Sequence, residues 1–440
     1  WVDQGIYAPG TNHVLYGGDF GDKPNLKAFC LNGVVFSDRS VSAKYQEVKH
    51  VYAPVWITQK GDEVWVKNHH SHLSLEGFSC QYQVTKNGVV GQESVLKMPS
   101  VQPGDSAKLC SLHDFKAYKN TDSRLNISVI SQQGVEVGRE QIALSDNLYE
   151  AGWKLAADAM KRYKSSRRLA TLSTAELLAR NISVIPQFFR APTDNDKSFG
   201  NWIAKDWKKT HLDSTLSAIP LKDGEYVYHY GEDGASDKAG SSASAKSGGN
   251  IRLRLEVAPQ QDGFVDVKAT YSFEGNLPEL PRLGLMMKLP RVAYDQVKWY
   301  GRGPWENYPD RKQSCPIGWY ESSVENQFTH YPRPQDNGNH EDCSYIELTN
   351  KNGKNALQVI AAGNTPLSFS ALPYSVADLY AARHDFELKQ SGNPNLRYTC
   401  LSLDCAVLGL GNSSCGPGVL KKYSIDKTKT YTLHFKMRIL

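Results

Sequence analysis

From about residue 46 to its end, the chain keeps returning to short runs of β-favouring residues cut by turn signals, and that pattern leaves room for little but antiparallel sheet. Between 46 and 146 the runs are 51–58, 64–67, 78–85, 89–95, 106–110, 126–131 and 135–143. Lys86-Asn87-Gly88 predicts a tight hairpin, because Asn-Gly accepts two successive positive-φ positions. Gln102-Pro103-Gly104-Asp105 predicts a second turn. Seven short strands in about 100 residues predict an immunoglobulin-like sandwich. The pattern resumes after residue 186 with runs at 251–258, 263–273, 284–289, 297–300, 345–350, 356–361, 367–372, 401–410 and 430–438. Their number and spread predict a large antiparallel sandwich. Within it, the low-complexity stretch 234–250 (GASDKAGSSASAKSGGN) reads as a loop.

Two stretches break the pattern. Residues 1–45 are rich in glycine and aromatics, and only 33–36 suits a strand. They are too few and too polar for a domain and read as the end of one that begins in other polypeptide. In 147–185, the run WKLAADAMKRY (153–163) suits either a helix with Leu155, Ala159 and Met160 on one face or a strand closing the first sandwich.

Composition excludes some partners. The formal charge is only +5 over 440 residues, and Lys161 to Arg168 is the one basic cluster, so nucleic acid is not expected. No apolar run approaches the length of a membrane-crossing helix. The eight cysteines show neither CxxC pairs nor metal spacing and read as mostly buried thiols. His69, His70 and His72 read as surface residues rather than a metal site.

Chemistry concentrates in a few loops. The stretch 299–312 (WYGRGPWENYPDRK) sets rings and charges between glycines and prolines that fix the backbone, as an ordered pocket-lining loop would. Tyr16 opens YGGDFGDKPN, followed by FCLN at 29–32; Arg190 opens RAPTDND; YPRPQDNGNHED fills 331–342; and ALPYSVADLYAARH fills 371–384. In this order and spacing they resemble the C-terminal half of a glycoside hydrolase family 2 β-galactosidase.

The resemblance implies that 1–45 is the tail of a catalytic TIM barrel, 46–146 an immunoglobulin-like sandwich and 147–440 a supersandwich similar to galactose mutarotases. It implies a retaining hydrolase of terminal β-galactosides, with magnesium and a monovalent cation, usually sodium. The partners implied are the β-galactoside, the N-terminal part of the same enzyme and a further copy in a homo-oligomer. The compartment stays open between cytoplasm and periplasm. Both catalytic glutamates are expected upstream; the acid/base follows an asparagine in this family, and the chain contains no Asn-Glu dipeptide. The catalytic set in this chain is therefore expected to be empty.

What remains is a site rim. Trp1 matches an apolar wall against the galactose. Phe29 and Asn32 match sodium donors, through a backbone carbonyl and a side-chain oxygen, and Asn25 matches the outer shell of the magnesium. Cys415 falls near the place where one type of family member carries a sugar-stacking tryptophan. Arg190 is expected to pair with Asp194 or Asp196, and Asn195 to cap a turn. Glu306, Asn307 and Arg311 read as a buried polar network beside Trp305. His340, Glu341 and Asp342 are expected to reach toward the site or a neighbouring subunit. Two rival readings remain: a non-catalytic carbohydrate-binding or assembly module, and a mutarotase-like epimerase using His330, His340 or His384 with Glu306. The stretch 152–190 is about half as long as the resemblance implies, so strands there are expected to be missing or replaced.

Overall fold

The computed structural model of the chain describes residues 1–118, 120–165, 183–197, 203–239, 248–260, 263–353, 356–363, 365–389 and 394–440. Apart from a two-stranded sheet in the leading segment (Ile6–Tyr7 with Val14–Leu15), its strands gather into two sandwiches. In the first, a three-stranded sheet (Val55–Lys60, Glu63–Asn68, Ser106–Ser111) faces a four-stranded one ordered Val89–Leu96, Ser79–Lys86, Ser123–Ile130, Glu136–Ser145. Alternation builds the core: Val64 and Val66 from one sheet meet Cys80, Val84, Leu125, Ile127 and Val129 from the other. The predicted hairpin is present, with Lys86 opposite Val89 and φ of 48° at Asn87 and 78° at Gly88. Gly88 has a second reason to be glycine: a Cβ there would stand 2.8 Å from Tyr300 Cε2, across the junction with the second sandwich. At the same junction the Gln141 amide donates to Ile317 O (2.9 Å) and accepts from Ile317 N (2.8 Å), adding a rung to an edge strand.

The second sandwich is larger. Its nine-stranded sheet runs Gly234–Ala239, Gly224–Gly231, Gly249–Pro259, Val265–Gly275, Tyr431–Ile439, Ala356–Ala361, Tyr345–Thr349, Gln296–Arg302, Ile317–Ser323. The facing six-stranded sheet runs Ile219–Pro220, Ser183–Gln187, Arg282–Pro290, Tyr398–Val407, Leu367–Leu372, His340–Cys343. Leu253, Val267, Tyr271, Leu433 and Phe435 pack against Leu283, Leu285, Met287, Phe369, Leu401 and Leu403 between them.

One open reading is settled and three expectations need correction. Residues 153–163 belong to a helix, Leu148–Ser165, whose Ala151, Ala156 and Ala159 cover Tyr300, Tyr345 and Ile360 on the outer face of the nine-stranded sheet. Strands 345–349 and 356–361 are buried at every residue, so that face needs a cover, and small side chains let the helix approach. The rest of the shortened stretch, 166–182, lies outside the described residues. The expected loop at 234–250 begins as an edge strand, Gly234 pairing Gly231 through to Ala239 pairing Tyr226. A ladder of backbone hydrogen bonds needs no apolar side chain; residues 240–247 lie outside the described residues. Val51 ends a helix, Ala43–Val51, rather than opening a strand, and of 33–36 only Val35 makes bridges, to Val2 and Val41.

The leading segment is fastened to the second sandwich. Glu47 accepts from Gln313 N (3.2 Å) and Ser314 N (2.9 Å), and Tyr16 OH donates to Arg383 O. His384 lies between two carboxylates, Asp19 Oδ2 at 2.7 Å and Glu387 Oε1 at 3.0 Å, and its ring stacks on Tyr16 and Phe386. No helix among the described residues is long and apolar enough to cross a membrane.

Candidate active-site cleft

The fastening brings four stretches around one cleft of about 850 Å³: 26–32 with Asp3 and Lys44, 193–197, 306–311 with 331–336, and 410–416. Gly33 lets the first of these close up, since a Cβ there would stand 2.3 Å from Asp3 N. Asp3 accepts from Gly33 N (2.7 Å) and Lys44 donates to Gly33 O (2.7 Å). Burial dominates both groups: it raises the Asp3 carboxyl despite the Gly33 N–H and Lys44, and lowers the Lys44 ammonium despite Asp3.

Arg190 is the anchor of the second stretch. Fully buried, it donates Nε to Asp196 Oδ2 (3.0 Å) and Nη2 to Asp196 Oδ1 (2.8 Å), and reaches Leu408 O (2.7 Å) and Gly409 O (3.1 Å). The two-pronged pair settles its partner as Asp196, not Asp194. Asp194 faces Gln335 instead, accepting from its Nε2 at 3.2 Å, with Arg333 Nη1 3.6 Å away. Asn195 does not cap its own turn. It donates to Gly411 O (2.6 Å) and accepts from Ser414 Oγ (2.5 Å), strapping down the stretch that carries Cys415.

Glu306, Asn307 and Arg311 form the network read from the sequence. Glu306 accepts from Arg311 Nη2 (2.9 Å), Tyr331 OH (2.7 Å), Gly338 N (2.7 Å) and Thr329 Oγ1 (3.3 Å). Burial alone would raise its carboxyl; Arg311, the Gly338 N–H and Tyr331 outweigh burial and hold it below the ordinary value. Asn307 donates to Trp305 O (2.9 Å) and accepts from Glu341 N (2.8 Å). Asp336 accepts from Tyr308 OH (2.8 Å).

His340 does not reach outward. It is buried against Trp299 and Phe369, with Nε2 2.6 Å from Gln327 Oε1 and Nδ1 3.1 Å from Arg302 O, and burial pushes its pKa down to about 4. Glu341 is buried beside it, and Asp342 pairs with Arg302 (2.5 Å) and Lys312 (3.0 Å). Of the other rim residues, Phe29, Asn32 and Cys415 line the cleft, Cys415 exposed. Asn25 is spent on its own turn, donating to Asp22 O (2.8 Å) and accepting from Lys27 N (3.1 Å). Trp1 stands 83% exposed outside the lining, and Trp305, 39% exposed, borders a neighbouring hollow with His330. His330 and His384 line up with Asp385 and Asp19, not with Glu306. His70 bonds Asn68 (2.9 Å), and the described residues contain no group of three or more metal-ligating side chains.

Several cleft residues escaped the sequence reading, among them Asp3, Lys44, Lys197, Tyr331, Arg333 and Asp336. Lys197 directly follows RAPTDND and Arg333 lies inside YPRP, so their neighbourhood was marked but their charge was not weighed.

Two stacked sheets fronted by a polar, loop-rimmed cleft define the class. Residues 160–437 match the family described as beta galactosidase small chain, and residues 1–57 match glycosyl hydrolases family 2, TIM barrel domain. The chain belongs to the beta galactosidase small chain family. It is similar to proteins named beta-galactosidase from Priestia megaterium (27% identity over 481 residues), Lactobacillus delbrueckii subsp. bulgaricus (29% over 472) and Actinobacillus pleuropneumoniae (26% over 466). Each alignment takes in 100% of this chain and 43–44% of the relative, so the chain spans less than half the length of these relatives.

Proposed function

We propose that this chain serves as the C-terminal portion of a retaining β-galactosidase, walling a site whose two catalytic carboxylates belong to other polypeptide. One observation carries the reading. The segment matching a TIM barrel and the loops of the large sandwich share a single cleft, in which Asp3, Asp194, Glu306 and Asp336 each already hold a hydrogen bond from the protein. Retaining hydrolysis needs two carboxyl groups about 5 Å apart. One protonates the leaving oxygen while the other attacks the anomeric carbon. Water activated by the first then releases galactose. This chain's part is to exclude water and to position the sugar. For sodium, the donors proposed here are the Phe29 carbonyl and the Asn32 side-chain oxygen, since hard cations take oxygen and both residues line the cleft. For magnesium, the ligands proposed are those of other polypeptide; Asn25, matched only to the outer shell, is held in its own turn.

A colorimetric β-galactoside assay tests the reading. The 440-residue chain alone gives no turnover, and mixing it with a polypeptide that carries the two carboxylates restores it, with galactose released in the β configuration. Turnover by the chain alone overturns the assignment.

A further inference from the structure

The cleft is unbalanced in charge. Its carboxylates are engaged, as described above, and so are Lys44 and one nitrogen of Arg311, but Lys197 and Arg333 are held weakly or not at all by the described residues. Lys197 lines the cleft, and among the described residues its ammonium has no hydrogen-bond or ion-pair partner, Asp194 and Asp196 acting on it only from a distance. Arg333 lines the same wall, and among the described residues its one ion pair is the 3.6 Å contact to Asp194. Arg311 gives Nη2 to Glu306, yet its Nε and Nη1 are buried with no partner. Burial, and then the nearby Arg333, push the Lys197 pKa down to about 8: the fold holds a poorly solvated charge beside a like charge. Desolvated cations with free donors are costly alone and strong toward an oxyanion. Ser414, Asn412 and Asn32 add neutral hydrogen-bonding groups to the same lining.

We propose that the cleft takes a saccharide bearing an anionic substituent, a sulfate ester or a uronic carboxylate, with Lys197 and Arg333 as the donors to the anion. The anionic part follows from the cleft's own charges; the saccharide part rests on the galactosidase reading. Lys197 thereby becomes a specificity residue, distinguishing charged from neutral sugars.

Calorimetric titration of the 440-residue chain with galactose 6-sulfate, galacturonic acid, galactose and sodium sulfate tests this. At least one of the two anionic sugars is expected to bind about tenfold or more tighter than galactose, and which one does so identifies the substituent. Lys197→Met and the milder Lys197→Gln, each with native circular dichroism, are expected to remove that advantage, and added sodium chloride to weaken it. Equal affinity for charged and neutral sugars in the unaltered chain overturns the proposal, as does binding that survives both substitutions. Free sulfate binding as tightly as the sulfated sugar also overturns it, leaving an inorganic-anion site. Failure of galactoside hydrolysis in the assembled enzyme strikes the proposed function instead and leaves these titrations readable.

Discussion

Arg190 and Lys197 belong to one short stretch of chain, and the fold treats their charges in opposite ways. Arg190 is sealed from water and makes four hydrogen bonds, two of them to Asp196. Lys197 faces the cleft, carries a depressed pKa and has no acceptor among the described residues. A buried cation with every donor engaged is part of the scaffold. A desolvated cation left without an acceptor adds nothing to the scaffold and is explained by what enters the cleft. His340 marks a third outcome: buried and driven toward the neutral ring, it keeps its hydrogen bonds and gives up its charge.

The largest effect should come from breaking the satisfied pair. Arg190→Met leaves Asp196 buried without its partner and is expected to cost about 3–5 kcal/mol in urea unfolding. Adding Asp196→Leu should recover much of that loss. A cost under about 1 kcal/mol for the single variant would erase the contrast with Lys197.

Next comes pH. His340 falls from the ordinary 6.5 to about 4 in the folded chain, so its contribution is fully present above pH 6.5 and is lost as pH falls through 4. The chain should therefore lose up to roughly 3 kcal/mol over that window, and His340→Gln should flatten that part of the stability-against-pH curve. An unchanged slope would mean that the ring titrates alike in the folded and unfolded chain.

The smallest effect, and the one that sharpens the comparison most, is Lys197→Met. The depressed pKa means that the folded state favours the uncharged amine. That contribution is present above the ordinary 10.5 and lost as pH falls through about 8. At neutral pH nothing is left to lose, so the variant should keep the unfolding free energy or raise it by about 1 kcal/mol. A clear drop in stability would make Lys197 scaffold like Arg190.

Much of the architecture was legible because it is written in local terms. Alternation placed the strands of both sandwiches, and Asn87-Gly88 declared its turn. The helix at 148–165 was ambiguous because alanines mark its buried face, and Ala151 or Ala159 favours no partner strongly enough to exclude a strand. The edge strand at 234–239 was hidden because its sequence, GASDKA, carries no apolar pattern; backbone pairing makes it. At the cleft, Glu306, Asn307 and Arg311 were readable as a network, since charged residues in a fixed-backbone loop must find partners. The choice between Asp194 and Asp196 was not readable, because one residue in that turn is buried and the other is not. Lys197 was invisible for the same reason in reverse: its significance lies in acceptors that other residues have already taken.

The clasp of Asp19, His384 and Glu387 ties the beginning of this sequence to a stretch near its end. During synthesis the ribosome delivers the early partner first, and it has nothing to grip until residues 383–387 emerge. Replacing His384 should therefore loosen one of the ties that hold the wall near Phe29 and Asn32 to the large sandwich, while the Glu47 contacts to Gln313 and Ser314 keep another.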